Sequence, residues 1–273
     1  MNKYLKYGIM GFIAASLSVM LLNTSPKKVL PTYPRSYEEI IESGVLRAVT
    51  EYNSISFHSM DDTIGGLHYE LLLAFAKAQG LEVEVTPEMN IETRIKGIHN
   101  GTYDLLANNV LVSRKQQDSI LFTSPILLEK QVLVQRKAKT ENDSIHIKSL
   151  IKLANKTIHV PKGSSAIQRI HHLSNEIGDT IYIQEVEKYG PEQLLAMVAN
   201  GDIDYAVCDQ SIAQAGIEYL PQLDIDTEIS FTQFYSWGVS YRNTVLLDSL
   251  NVWLETFKQS AEFQKILKKY TTN

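Results

Sequence analysis

Two rhythms alternate along this chain. Over Leu67–Gln79 apolar residues recur at helical spacing behind Gly65-Gly66, and Gly80 provides the stop before a strand at Leu81–Val85. The same reading predicts strands over Gly44–Thr50, Gln131–Gln135, Thr157–Val160, Ile181–Val186 and Phe234–Val239. Helices are expected over Ser36–Ser43, Ala166–Glu176, Leu246–Phe257 and Ala261–Tyr270. Helices and strands taking turns argue for the α/β class. The polar, charged run Arg136–Ser149 is the expected crossover between two halves.

The halves resemble each other. Ile91–Asn109 (IETRIKGIHNGTYDLLANN) lies in register with Pro191–Asp209 (PEQLLAMVANGDIDYAVCD). Ile95 matches Leu195, Ile98 matches Val198, Asn100-Gly101 matches Asn200-Gly201, and Asp104 matches Asp204. Each copy reads as an amphipathic helix, a tight turn that Asn or Gly enters cheaply, an Asp, and a mostly apolar strand ending in a polar residue. A solenoid repeats every ~20–50 residues, so a spacing of one hundred positions fits two similar α/β lobes instead. Ligands of open α/β sheets bind beyond the carboxyl ends of the strands. Asn109 and Asp209 would therefore face a shared cleft.

Composition narrows the chemistry. Of 273 residues 44% are hydrophobic and 21% charged, which is ordinary for globular domains. The net charge of −5, with no Lys/Arg-rich stripe, argues against nucleic acid as a partner. Cys208 is the single cysteine, which excludes an intrachain disulfide and any CxxC metal site; inside an apolar strand it reads as a small buried hydrophobe. His171 and His172 are adjacent on a helix and point apart, so they make no metal pair. No Ser/His/Asp, paired-acid, metal or cofactor spacing emerges. At the amino terminus Lys3 and Lys6 precede the apolar run Gly8–Leu22, the pattern of an export signal. A spanning helix needs about 20 residues, and the run is shorter. No small-x-small cleavage site follows, so residues 1–25 read as a signal peptide or an uncleaved membrane anchor. Residues 26–43 read as a tether and short helix, and the remainder belongs in the periplasm or cell envelope.

The order of segments from Gly44 to Tyr270 resembles the bacterial extracellular solute-binding proteins of family 3. Gly66-Leu67-His68-Tyr69-Glu70-Leu71 looks like that family's glycine–hydrophobic–acid signature, with His68 and Tyr69 departing from it. Asn100-Gly101-Thr102-Tyr103-Asp104, Phe122-Thr123-Ser124-Pro125, Asp204–Asp209 and Ile266–Tyr270 match further motifs. The Gly-Leu-x-Tyr-Glu-Leu form, with Gln131–Arg136, is similar to the amino-terminal, non-catalytic module of membrane-bound lytic transglycosylase F. The resemblance implies a two-lobed periplasmic-binding-protein-like hinge fold (type II), each lobe a mixed sheet flanked by helices. Lobe 1 would span 44–136, lobe 2 137–229, and 230–273 would return to lobe 1.

It also implies a function: a monomeric, non-enzymatic binder that captures a small polar solute, such as an amino acid, a derivative or a peptidoglycan fragment, by hinge closure. Implied partners are an ABC transporter permease or a cell-wall enzyme, and the inner membrane through the N-terminal segment. No cofactor is implied. Regulation of peptidoglycan turnover is the alternative output, and a dehydratase-type enzyme on the same fold is the rival class. By position, Ser113 corresponds to the family's carboxylate-binding Thr, and Gln116 stands where the family has a bidentate Arg. That exchange favours a neutral, amidated or larger ligand. Asp209 corresponds to the ammonium-binding acid, with helix capping near Gln210 as the alternative reading. Gly163, Ser164 and Ser165 either offer free N–H groups to an anion or form an ordinary Ser cap. Tyr52, Asn53 and Phe57 match the loop that covers the ligand, and Trp237 reads as packing.

Overall fold

The computed structural model describes residues 33–60, 63–111, 120–140 and 143–271. The expected signal or anchor over 1–25 lies outside the described residues, as do Ser113 and Gln116. Among the described residues no helix is long and apolar enough to cross a membrane.

The chain runs α1 (Tyr37–Ser43), β1 (Val45–Thr50), a hairpin of β2 (His58–Met60) and β3 (Thr63–Gly65), α2 (Leu67–Gln79), β4 (Glu82–Pro87), α3 (Ile91–His99) and β5 (Leu105–Leu111). It continues through β6 (Ile120–Phe122), β7 (Leu127–Glu129), β8 (Gln131–Arg136), β9 (Thr157–Pro161), α4 (Ala166–Ile177), β10 (Tyr182–Val186), α5 (Pro191–Asn200) and β11 (Ala206–Asp209). It closes with α6 (Gln210–Ile217), β12 (Leu223–Glu228), β13 (Gln233–Ser240), α7 (Thr244–Phe257) and α8 (Ala261–Thr271).

These strands form two sheets built to one plan. The first has the order β4-β1-β5-β13-β6 with β7 also on β13; the second has the order β10-β9-β11-β8-β12. In each, the first three strands are parallel and the fourth is antiparallel. The fourth strand is exchanged: β13 returns from the second half to fill the first sheet, and β8 crosses early to fill the second.

The crossover therefore falls earlier than the polar run at 136–149 suggests, and β8 belongs to the second sheet rather than to the first lobe. Its Gln131–Gln135 stretch is buried throughout, as a strand between β11 and β12 must be. The chain changes sheets at Lys130, a single residue between β7 and β8. Beside it the return segment is tied in: Ile229 N–H donates to Gln131 O at 2.7 Å, Gln131 N–H to Ser230 Oγ at 2.9 Å, and Lys130 Nζ meets Glu228 at 2.6 Å. These two crossing segments are the hinge.

Local sequence explains the elements. Ser36 and Glu39 form a reciprocal capping box on α1, and Asn90 caps α3. In α2 the apolar positions Leu67, Leu71, Leu72, Phe75 and Ala76 are buried on one face, under α8. Fully burying such side chains stabilises by about 1.5–3 kcal/mol each. Gly66 could not be any other residue: at φ 130° a Cβ would lie 2.4 Å from the Ser56 carbonyl oxygen. The repeated turns use Gly101 (φ 74°) and Gly201 (φ 85°) in the left-handed region.

Candidate functional site

The hinge strands and the end of β11 meet at one place. Asp209, the last residue of β11, pairs directly with Gln131, the first of β8, so their side chains share a face. Asp209 sits at the N-cap position of α6, yet its side chain makes no capping bond. Instead the Tyr235 hydroxyl on β13 donates to Asp209 Oδ1 at 2.9 Å. Gln131 Nε2 donates to Ser165 Oγ at 2.9 Å. Burial, and then the Asp209 charge, push the Tyr235 phenol well above its ordinary pKa. It stays a protonated donor.

Glu129 at the end of β7 is buried beside this chain, and burial raises its pKa against hydrogen bonds from Ser211 and Lys130. Behind lies Cys208, buried, its thiol pushed well up by burial and by the charges of Asp209, Glu129 and Glu192. Such a thiol is no nucleophile.

Loops beyond β1 and β4 form the facing wall. Ser54 N–H donates across to Glu192 Oε1 on α5 at 2.8 Å. Ile91 and Met89 of the first lobe lie against Gly163 and Gly190 of the second, where a Cβ would come within 2.6 and 2.8 Å of them. Arg94 on α3 is a buried guanidinium, 3.5 Å from Glu51 and 3.3 Å from the Met89 carbonyl, with Nε unpartnered. Burial lowers its pKa, while Glu51 and Glu88 oppose that.

The residues expected from sequence do not all come together. Asp209 and Ser165 both lie beside Gln131, Asp209 as its strand partner and Ser165 through its hydrogen bond. Asn53 is buried in a turn, its Oδ1 accepting from Ile55 N–H and Ser56 N–H at 3.0 and 2.6 Å, and its Nδ2 has no partner. Tyr52 is exposed, its ring edge-on to Phe57, which itself packs on Tyr69 and is buried. At the start of α4 the N–H groups are already engaged: Gly163 donates to Glu185 (3.0 Å), Ser164 to the Pro161 carbonyl (3.0 Å), and Ala166 to Ser164 Oγ (3.2 Å). Ser165 holds the N-cap position of α4, and its side chain makes no capping bond. Asn109 lies in β5 with its side chain outside the described residues.

Three residues escaped the sequence reading: Tyr235, Gln131 and Glu129. Tyr235 was hidden inside an aromatic-rich strand, where Phe234, Tyr235 and Trp237 look alike. A polar residue at each end of the apolar Val-Leu-Val of β8 was the available signal for Gln131. His68, the departure from the expected signature, is structural: it is buried and accepts the Trp237 indole N–H at 3.0 Å. Glu70 is clasped by Tyr270 and Lys269 of α8, each at 2.5 Å. Among the described residues no cluster of three or more potential metal ligands occurs.

Comparison with known proteins gives a consistent picture. The model of the bacterial extracellular solute-binding proteins, family 3, matches residues 46–273. A membrane-bound lytic murein transglycosylase F from Desulfosudis oleivorans is 28% identical over 246 residues, covering 88% of this chain and 52% of that protein. The chain spans about half the length of the curated relatives it matches. An ancestral arginine-binding protein bound to arginine aligns with a TM-score of 0.73 and 25% identity, covering 84% of this chain and 99% of that one. The P235GK mutant of ArgBP from T. maritima aligns with a TM-score of 0.73 and 20% identity, covering 85% and 97%. The last shares the fold; the two-lobed, mixed-sheet architecture is that of periplasmic amino-acid-binding proteins.

Proposed function

Because the chain belongs to the bacterial extracellular solute-binding proteins, family 3, we propose that it captures a small polar solute between its lobes and reports capture by hinge closure. Asp209 is the carboxylate that receives the solute's donor group, and Tyr235 orients it. The observation that supports this reading is the Tyr235–Asp209 hydrogen bond, which holds the carboxylate while its side chain makes no capping bond to the helix it precedes. Asn53 and Ser165 complete the lining, and the solute is an amino acid, an amino-acid derivative or a peptidoglycan fragment. The protein works in the periplasm or envelope, handing its solute or its closed shape to a transporter permease. It binds without turnover.

A ligand that favours the closed form shifts the open–closed population by its differential affinity and raises the melting temperature by mass action. A thermal-shift screen of amino acids, amidated amino acids and muropeptides tests this directly. At least one class should stabilise the protein and should fail to stabilise Asp209→Ala. A flat response from all three classes, with Asp209→Ala as stable as the parent, counts against the whole reading.

A second output, control of peptidoglycan turnover, draws on the relatives, which are named as murein transglycosylases. It expects muropeptides to be the stabilising class, with free amino acids inert.

A further inference from the structure

We propose that a preformed latch sets whether the lobes can meet: the loop between β4 and α3, braced by Arg94, presents Met89 and Ile91 as plugs, and Gly190 and Gly163 are their sockets in the second lobe. This rests on the reading of hinge closure and names the residues that limit it. The plug loop is held from within its own lobe. Glu88 N–H donates to Thr50 O at 2.9 Å, which ties the loop to the end of β1. Asn90 N–H donates to Glu88 Oε1 at 2.8 Å, and Asn90 Oδ1 accepts from Thr93 N–H at 3.0 Å as the cap of α3. Arg94, 4% exposed, reaches Met89 O at 3.3 Å and Glu51 at 3.5 Å. A buried guanidinium is costly to keep, and this one spans the two loops that follow β1 and β4.

The two sockets differ in kind. A Cβ at Gly163 would lie 2.6 Å from Ile91 Cγ2, and one at Gly190 2.8 Å from Met89 Cε. Ile91 is β-branched and is the first residue of α3, so Cγ2 moves only with the helix and this contact is a hard stop. Met89 Cε ends a flexible side chain and adapts. Gly163 has φ 71°, so its backbone asks for glycine whatever lies opposite. Gly190 is another matter. At φ −78° and ψ −179° its backbone suits any residue, and as the N-cap of α5 it forgoes the side-chain cap that Asn, Asp or Ser would supply. Within its own lobe the near atom is Gln193 Oε1 at 3.1 Å, the movable end of a side chain. What glycine provides at position 190 is room for the first lobe.

The test is cross-linking of the full chain carrying Ser54→Cys and Glu192→Cys, positions that meet across the lobes, by a short bis-maleimide. The native Cys208 is buried and does not compete. The rate follows the closed fraction and needs no solute. Gly190→Asn should slow it about ten-fold, the size of an overpacked contact, while its melting temperature stays at or above that of the same chain with Gly190, because α5 gains a cap. Adding Met89→Ala should restore most of the rate. Arg94→Met, confirmed folded by a cooperative melt, should slow it about three-fold by loosening the plug loop. An unchanged rate in Gly190→Asn overturns the latch. A slow rate that Met89→Ala leaves slow overturns it as well, since the glycine would then serve the second lobe alone. An unchanged rate in Arg94→Met removes Arg94 from the device. Each of these failures leaves the solute reading standing, which the thermal-shift screen decides.

Discussion

The duplicated Asp serves the two lobes differently. In the first lobe Asp104 is 1% exposed at its side chain and receives Arg35 Nε and Nη2 at 3.0 and 2.5 Å, with Arg47 Nη2 and the Arg47 backbone N–H both at 2.8 Å. In the second lobe the Asp204 side chain is 54% exposed and meets Arg136, whose other nitrogen caps the Val198 and Ile203 carbonyls at 2.8 Å. Arg47 does the parallel job for Gly101 O at 2.9 Å. Both aspartates close the turn after the repeated helix, so the repeat motif is a folding device. The copies differ one strand further on, where β11 ends at Asp209, paired with Gln131 of the crossing strand.

The sharpest way to break that comparison is to remove both acids. Asp104→Ala strands two partly buried guanidinium groups, and loss of one partner from a buried ion cluster costs about 3–5 kcal/mol. Asp204→Ala removes an exposed pair worth about 1 kcal/mol or less. Urea unfolding of the two variants measures both. Equal costs would mean that the two turns are equivalent and that the burial difference carries no energy.

Next in size is the polar pair inside the first lobe. His68→Leu leaves the buried Trp237 N–H without an acceptor, which costs about 1–3 kcal/mol. Because the penalty belongs to the orphaned donor, adding Trp237→Phe to His68→Leu should recover part of it. A double-mutant cycle by denaturant titration reads the coupling. Strictly additive costs would show that the indole finds another acceptor.

Periodicity made most of the scaffold legible. The boundaries of α2 were readable because Gly66 and Gly80 bracket one apolar stripe, and β1, β8 and β13 were visible as short apolar runs. What the pattern could not show was the sheet to which a strand belongs. Gln131–Arg136 looks the same in either lobe, and only its pairing with β11 and β12 decides. The hairpin β2–β3 and the three-residue strands β6 and β7 are too short for a period to register. Site residues were legible where a chemical type stands at a strand end, as at Asp209. They were invisible where the role depends on a partner far along the chain: Tyr235 lies 26 residues from Asp209, and Gln131 lies 34 from Ser165.

Glu129 offers a pH-dependent contrast with the rest of the fold. Burial raises the Glu129 pKa, so the folded state holds its proton to higher pH than the unfolded chain does. The contribution to stability is then fully present below the unfolded pKa and is lost as pH rises through the folded one. Glu129→Gln removes that loss. Its melting temperature should exceed the parent's at pH 7, and the two should converge near pH 4. A variant less stable than the parent at both pH values would mean that the carboxylate is already compensated. The predicted gain would also indicate that Glu129 serves something other than stability.

The smallest expected effect lies where the first-lobe backbone reaches the second lobe's Glu192 side chain, Ser54 N–H donating to Glu192 Oε1. Glu192→Gln keeps an acceptor oxygen at that position, and Glu192→Ala removes it. A hydrogen bond of this kind is worth about 0.5–1.5 kcal/mol net, enough to change a lobe equilibrium two- to ten-fold and too little to unfold either lobe. Small-angle scattering of the unliganded protein should therefore show a larger radius for Glu192→Ala than for the parent, with Glu192→Gln close to the parent and all three melting together. If Glu192→Gln opens the lobes as far as Glu192→Ala does, the charge and not the acceptor holds the rim. The latch would then be electrostatic and should weaken in salt, as a hydrogen bond to a neutral amide would not.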